Sequence, residues 1–168
     1  FVNNPINNYN ISVQIGNYVA VQDTFLKNEQ IHVMSHYVLD YNEELASNFF
    51  PQSKEVIRFY EKYFGDYQWY EDGYKLIEVP YLGMEHQSAV TYGNGFSMYN
   101  GVRSKSWPMY GVIDPLIIHE TGHEWFGNSV TASDPTHIWI HEGLQVYSES
   151  IYFEDKFKSY EVGVHYLN

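Results

Sequence analysis

A run of five residues in the second half of the chain, H-E-T-G-H at positions 119–123, has the residue types and spacing of a metal-dependent hydrolase. Residues four apart lie one above the other on a helix, so the imidazoles of His119 and His123 can bind one cation. Glu120 points to the neighbouring edge of the same face, where it can hold and deprotonate a metal-bound water. The run therefore predicts a catalytic base beside a metal site.

The ligand types in this region favour zinc. Imidazole and carboxylate ligands suit this metal, and a set of three protein ligands leaves a fourth position open for chemistry. Glu142 follows His123 by nineteen residues, a separation at which a second helix can return antiparallel and place a carboxylate opposite the two imidazoles. We therefore predict one Zn²⁺ ion held by His119, His123 and Glu142.

Other histidines and acids leave alternatives open. His137 and His141 are also four residues apart and compete as ligands, although His137, the first of the pair, has no carboxylate after it in the base position. His32 and His36 fall on one face of a predicted strand and form another candidate pair, without an evident third ligand. Glu149, two turns further along the second helix than the predicted ligand, is either an acceptor for a ligand imidazole or a solvated charge.

Two helices must hold these residues, and both begin in the same way. Asp-Pro pairs at 114–115 and 134–135 each place an N-cap acceptor before a proline whose missing N–H costs nothing in the first turn. The predicted helices span residues 115–126 and 135–153. Gly122 lies within the first helix, where glycine is less favourable than alanine by about 1 kcal/mol, and this indicates close approach of another group.

The chain before these helices has the pattern of β-structure followed by a helix. Residues 11–21 alternate with a period of two, and residues 31–39 are apolar and β-branched, so both predict strands. Between residues 41 and 64 apolar side chains recur at three- and four-residue spacings, which predicts an amphipathic helix divided at Pro51. Short strands at 75–80 and 89–92 and a loop at 93–110 complete this part. The order predicts an α+β fold.

The composition excludes several classes of protein. The formal net charge is −12 and the nine Lys and Arg residues are scattered, whereas binding a nucleic-acid backbone requires clustered basic side chains. The absence of cysteine excludes disulfides and thiolate metal sites. No stretch is long and apolar enough to span a bilayer. The hydrophobic fraction of 44% is sufficient for a packed core.

Longer motifs around the predicted ligands resemble the alanyl aminopeptidase family of gluzincin metallopeptidases, also called peptidase family M1. H-E-W-F-G-N-S-V-T at 123–131 and W-I-H-E-G at 139–143 are similar to its zinc-binding region. Y-L-G-M-E-H-Q-S-A at 81–89 resembles the family's second hallmark, the G-x-M-E-N exopeptidase motif. Its Glu85 lies thirty-four residues before His119, so the two motifs have the order and separation of the family.

The resemblance implies an activity and the roles of individual residues. In the family, the strand that carries Gly83 and Met84 edges the cleft, where an extended peptide adds as a further strand. The glutamate of the motif, here Glu85, binds the free α-ammonium group of the substrate, which limits cleavage to the first residue. Zinc polarises the scissile carbonyl while Glu120 takes a proton from water and delivers it to the leaving amine. We therefore expect a zinc-dependent aminopeptidase that acts on peptides with a free N-terminus.

Two positions depart from the family's exopeptidase motif. Leu82 replaces its first glycine, which affects how closely the substrate backbone can approach. His86 replaces its asparagine, which puts the hydrogen bonds of that amide in question. Neither change touches the carboxylate of Glu85, so the resemblance still implies that it binds the amine.

Family members are several times longer than 168 residues, so the resemblance implies that this chain is a fragment. Residues 1–40 resemble the last strands of the family's N-terminal β-domain, and residues 41–168 resemble the N-terminal lobe of its thermolysin-like catalytic domain, truncated after the third ligand. The rest of the parent chain is then an expected partner. The family's oxyanion-stabilising tyrosine has no counterpart here, and loss of an oxyanion donor typically lowers the rate about 10²–10³-fold. We expect the isolated chain to bind zinc and to be weakly active or inactive.

Two other functions are compatible with the same metal ligands. A thermolysin-like zinc endopeptidase would cleave peptides with blocked N-termini and would not need Glu85. A peptide-binding module with a structural zinc ion would perform no chemistry. The presence of Glu120 argues against the second alternative, because a closed structural site does not need a base beside its first ligand.

Overall fold

The computed structural model describes residues 2–96 and 113–167, which combine one mixed β-sheet with five α-helices, the expected α+β class. The strands are β1 (Tyr18–Lys27), β2 (Gln30–Leu39), β3 (Tyr74–Glu78), β4 (Gly83–Met84) and β5 (Ala89–Tyr92), in the sheet order β1-β2-β3-β5-β4. The helices are α1 (Glu43–Phe49), α2 (Gln52–Phe64), α3 (Pro115–Gly122), α4 (Trp139–Phe157) and α5 (Tyr160–Leu167). Most of the predicted loop at 93–110 lies outside the described residues.

A tight hairpin joins the first two strands and sets their register. Asn28 and Glu29 both have positive φ angles, 49° and 64°, which is the backbone of a type I′ turn. The antiparallel register then runs from Lys27 opposite Gln30 to Tyr18 opposite Leu39. The prediction of a strand at 11–21 is therefore wrong for residues 11–17, because β2 ends opposite Tyr18 and the preceding residues have no strand to pair with.

The remaining strands continue the sheet in parallel. Met34 of β2 lies opposite Tyr74 of β3, and Lys75 of β3 lies opposite Ala89 of β5. Strands from before and after the predicted domain boundary at residue 40 thus pair in one sheet. The boundary itself remains a prediction. The short strand β4 pairs with β5 alone, antiparallel, and forms the outer edge of the sheet.

The helical segment between β2 and β3 confirms the predicted amphipathic pattern and its division at Pro51. Helix α2 ends at Gly65, whose φ of 95° favours glycine. Its buried face carries Val56 and Tyr60, and it packs against the equally buried Ile117 and Ile118 of α3. Among the described residues, no helix is both long and apolar enough to cross a membrane.

The two predicted helices of the metal site begin as expected but end elsewhere. Asp114 caps α3 by accepting a hydrogen bond from the Leu116 amide, but the α-helix ends at Gly122 and not at 126. The following turn is wider, since the Asn128 amide donates to the carbonyl of His123, and the Trp125 indole holds it by donating to the carbonyl of Gly65.

The second helix has the expected length but lies four residues later in the chain. Residues Pro135–His137 form a 3₁₀ turn capped by Asp134, and α4 itself runs from Trp139 to Phe157. It ends where Lys158 adopts the left-handed conformation, with a φ of 52°. Helix α5 packs against its second half, where Ser150 donates a hydrogen bond to the Gly163 carbonyl and the ring of Phe153 contacts that of Tyr166.

Gly122 allows α2, α3 and α4 to meet. A β-carbon at this position would lie 2.1 Å from the Tyr60 hydroxyl and 2.3 Å from both polar side-chain atoms of Gln145. The Gln145 amide donates to that hydroxyl over 2.8 Å, and it also donates to the carbonyl of Ile118. The expected close approach to α3 is therefore made by a buried polar pair, Tyr60 and Gln145.

Replacing Gly122 by alanine is expected to lower the free energy of unfolding by about 1–3 kcal/mol, because the new methyl group displaces this pair. The gain in helix propensity, about 1 kcal/mol, is too small to offset the clash. Gly143→Ala in α4 is the matched control, since its β-carbon would meet nothing closer than the Trp139 Cβ at 3.9 Å. Urea unfolding followed by circular dichroism should show opposite signs for the two variants. Equal effects would contradict the packing argument.

Candidate active site

Three side chains from two helices converge on one point. The Nε2 atoms of His119 and His123 are 3.2 Å apart, and the Glu142 Oε2 atom lies 3.6 Å and 3.7 Å from them. Bonds of about 2.0–2.2 Å to zinc in a tetrahedral arrangement place ligand atoms roughly 3.4 Å from one another. The three distances therefore match three corners of a tetrahedral zinc site, and these residues fit the metal.

The other ring nitrogen of each imidazole is held by an acceptor. His119 Nδ1 lies 2.6 Å from Glu149 Oε1, and His123 Nδ1 lies 2.8 Å from the carbonyl oxygen of Phe126. A carbonyl and a carboxylate can only accept, so each Nδ1 carries the hydrogen. Both Nε2 lone pairs are then directed to the same point, as metal ligation requires.

Glu149 is buried, with an exposed fraction of 2%, so it is an acceptor for a ligand imidazole and not a solvated charge. Its second carboxylate oxygen accepts a hydrogen bond from the Tyr166 hydroxyl of α5. Burial lowers the pKa of His119, but the hydrogen bond and charge of Glu149 outweigh it and raise that pKa to about 9. Burial and the charge of His119 lower the pKa of His123 to about 3. A proton on His119 Nε2 and a metal ion thus compete for the same position between the His119 and His123 rings.

Glu120 lies beside the cluster, with an exposed fraction of 7%. Burial raises its pKa, His119 opposes this, and the charges of Glu85, Glu142 and Glu149 add to it, giving a pKa of about 8. A general base is most effective when its pKa lies near the working pH, and this pKa is close to neutral pH. At this position the carboxyl group can take up and release a proton beside the predicted metal ligands.

Glu85 is part of the same group of acids. Ligand atoms of Glu85, Glu120 and His123 all lie within 4.8 Å of one another. Glu85 is 4% exposed, and its Oε1 atom accepts no hydrogen bond from any described residue. A buried carboxylate oxygen without a donor is unfavourable until a ligand supplies one.

The edge strand β4 lies directly against the base. A β-carbon on Gly83 would lie 2.5 Å from Glu120 Oε1, so any larger residue would require the Glu120 side chain to shift. Gly83 and Met84 pair with Tyr92 and Thr91 of β5 on one side only. The other side of β4 faces no strand of the described chain, so this edge of the sheet is open to an extended peptide.

The two departures from the family's motif have different surroundings. Leu82 is exposed, and its carbonyl accepts a hydrogen bond from the Gly93 amide. His86 is buried, burial lowers its pKa, and the ring also hydrogen-bonds to the backbone of Asn10. His86 thus ties the N-terminal segment to the exopeptidase motif.

The alternative histidine pairs do not form a cluster in the described part of the chain. His137 is exposed in the 3₁₀ turn, and His141 Nε2 accepts a hydrogen bond from the Ala132 amide. His36 is buried beside Phe50, and His32 stacks against Tyr70. The groups of three ligand atoms found among the described residues contain none of these four histidines.

Sequence reasoning missed three residues at the site. Burial and the neighbouring carboxylates of Glu85 and Glu142 raise the pKa of Tyr9, whose hydroxyl faces this acidic cluster. No local pattern links Tyr9 to a motif that follows it by more than seventy residues. Glu124 and Asn128 are buried between the two motifs. Both lie within residues 123–131, which resemble the family, and this resemblance was the sequence signal that could have identified them.

With this geometry established, comparison with known proteins decides the family. The model of the peptidase family M1 domain matches residues 49–168. The chain belongs to peptidase family M1. Human endoplasmic reticulum aminopeptidase 2 is 30% identical over 123 residues, which cover 69% of this chain and 12% of that protein. Rat glutamyl aminopeptidase is 26% identical over 148 residues, 86% of this chain and 15% of the relative.

Solved structures of two peptidases show the same fold. Legionella pneumophila aminopeptidase A, in complex with aspartic acid, aligns with a TM-score of 0.67 and 16% identity over 83% of this chain and 17% of its own. An M1 zinc metallopeptidase from Deinococcus radiodurans gives a TM-score of 0.63 and 19% identity over 84% and 29% of the two chains. The chain thus spans only a small part of its M1 relatives.

Proposed function

We propose that this chain is the zinc-binding part of an M1 aminopeptidase, which removes N-terminal residues from peptides. The proposal rests on the tetrahedral spacing of His119, His123 and Glu142, with ligand atoms of Glu85 and Glu120 within 4.8 Å of His123. In this proposal residues 1–40 are the end of an N-terminal β-domain, and residues 41–168 are the first lobe of the catalytic domain.

His119, His123 and Glu142 would hold one Zn²⁺ ion. When bound, zinc polarises a carbonyl oxygen and lowers the pKa of water. Glu120 takes the proton from the attacking water and delivers it to the nitrogen of the leaving amine. Glu149 keeps the His119 ring in the tautomer and orientation that ligation needs, through the 2.6 Å contact to Nδ1.

Glu85 gives the reaction its restriction to the chain end. A substrate ammonium group supplies the donor that the buried Oε1 atom lacks, in a charge-assisted hydrogen bond. The substrate backbone adds to the open side of β4, and Gly83 lets the edge strand approach Glu120 closely. This arrangement favours an aminopeptidase over an endopeptidase, in which the carboxylate would have no ligand.

The proposal is tested by measuring metal content and hydrolysis together. This chain should bind one zinc ion, detected by elemental analysis after dialysis, and should hydrolyse an aminoacyl-anilide weakly or not at all. The longer protein that carries it should bind the same ion and turn the substrate over. Absence of zinc from both proteins, or full turnover by this chain alone, would overturn the corresponding part of the proposal.

Glu85→Gln is expected to lower kcat/KM for peptides with a free N-terminus about 10- to 100-fold, because a buried charge-assisted hydrogen bond is lost. Hydrolysis of N-acetylated peptides should not change. The exposed Glu71→Gln is a matched control, since it removes the same charge outside the site. Kinetics with free and acetylated forms of one peptide measure the effect. Efficient cleavage of acetylated peptides by the unaltered protein would instead support a thermolysin-like endopeptidase.

A further inference from the structure

We propose that Glu124 and Asn128 are positioning residues that hold the amine loop, residues 85–88, at a fixed distance from the metal cluster. Neither side chain reaches the predicted ligand atoms. The two residues instead connect the zinc-ligand helix to the loop that carries Glu85. The inference rests on the proposed function, because it assigns these residues a role in placing the substrate amine.

Asn128 makes the first connection. Its Nδ2 atom donates to the main-chain carbonyl of Glu85 over 3.0 Å and to Glu124 Oε2 over 3.1 Å. The side chain is 6% exposed, so little water can replace either bond. One amide group thus fixes the backbone from which the Glu85 carboxylate projects.

Glu124 makes the second connection. Its Oε1 atom accepts a hydrogen bond from the Ser88 amide over 2.7 Å, and its exposed fraction is 1%. Ser88 has a φ of 56°, a left-handed conformation that is uncommon for a residue other than glycine. Such a conformation persists where surrounding contacts hold it. The bond from Ser88 to Glu124 is a contact of this kind, placed at the end of the amine loop.

Both residues are themselves tied to a predicted metal ligand. Glu124 follows His123 directly, and the Asn128 amide donates to the His123 carbonyl over 2.9 Å. The distance from Glu85 to the metal cluster is therefore set through a short series of buried bonds. A displacement of about 1 Å in a reacting group can lower the rate about 100-fold. We therefore expect this short connection to determine where the substrate amine is held.

A double-mutant cycle in the longer protein tests whether Asn128 acts through Glu85. Asn128→Ala should lower kcat/KM for free-amine peptides about tenfold or more, with zinc content unchanged. In a Glu85→Gln background the same substitution should have an effect of less than about threefold. A loss of equal size in both backgrounds would show a merely structural role and overturn the proposal. Ser53→Ala, a buried substitution on α2, is the control for a general loss of stability.

Amide hydrogen exchange of Ser88 gives a second measurement that does not depend on activity. Glu124→Ala should accelerate this exchange about tenfold or more, whereas Glu124→Gln, which keeps an acceptor oxygen, should largely restore the protection. The Val79 amide, bonded to Tyr92 within the sheet, is the internal reference and should not change. Unaltered Ser88 exchange in Glu124→Ala would overturn the proposal.

The two experiments also separate this inference from the proposed function. A longer protein without peptidase activity but with the predicted change at Ser88 would refute the function and leave the connection intact. An active protein in which neither Asn128→Ala nor Glu124→Ala has its predicted effect would refute the connection alone. If Glu124→Ala fails to fold, the cycle with Asn128 decides.

Discussion

Glu120→Gln in the longer protein is expected to lower kcat about 10²–10⁴-fold, the contribution typical of a general base. Glutamine keeps the size of the side chain, so the close contact with Gly83 is preserved, but it cannot accept the proton from water. Zinc content should remain the same, because Glu120 is not among the three atoms with tetrahedral spacing. Steady-state kinetics and elemental analysis of the same preparation measure both quantities.

The exposed Glu154→Gln on α4 is a control with the same charge change, and it should leave kcat unaltered. Unimpaired turnover in Glu120→Gln would refute the catalytic assignment. Simultaneous loss of zinc would indicate that the residue binds metal, and the separation of base from ligands proposed for this site would then be wrong.

His123→Ala is expected to lower zinc affinity more than about 100-fold, since loss of a partner that only orients a ligand already costs 10–100-fold. The side chain is 1% exposed, and its Nε2 atom lies within 3.7 Å of both other ligand atoms. Competition with a chromophoric chelator measures the affinity in this chain, without any requirement for activity.

His141→Ala is the matched control, because it removes another buried imidazole close to the site. Its Nε2 atom accepts from the Ala132 amide, so the substitution should lower stability without changing zinc affinity by more than a few fold. The reverse result, loss of zinc in His141→Ala and retention in His123→Ala, would support the rival ligand pair and refute the proposed one.

Periodicity and capping residues predicted much of the fold. Three features were predicted correctly because each depends on neighbouring residues: the division of α1 from α2 at Pro51, the cap at Asp114 and the strand Ala89–Tyr92. The end of α3 and the start of β1 could not be predicted from neighbouring residues. The first depends on the anchoring of Trp125 by a distant carbonyl, and the second on where the partner strand stops.

The sequence by itself determined the chemistry of the candidate site. Two imidazoles at i and i+4 and a carboxylate beside the first must share a helix face, whatever surrounds them. Only the tertiary structure decided which position in the site each acidic residue occupies. Glu149 contacts His119, Tyr9 hydrogen-bonds to Glu85, and Glu124 accepts a hydrogen bond from the amine loop, because residues from separate elements meet only when the core packs. Local spacing carries no information about such meetings.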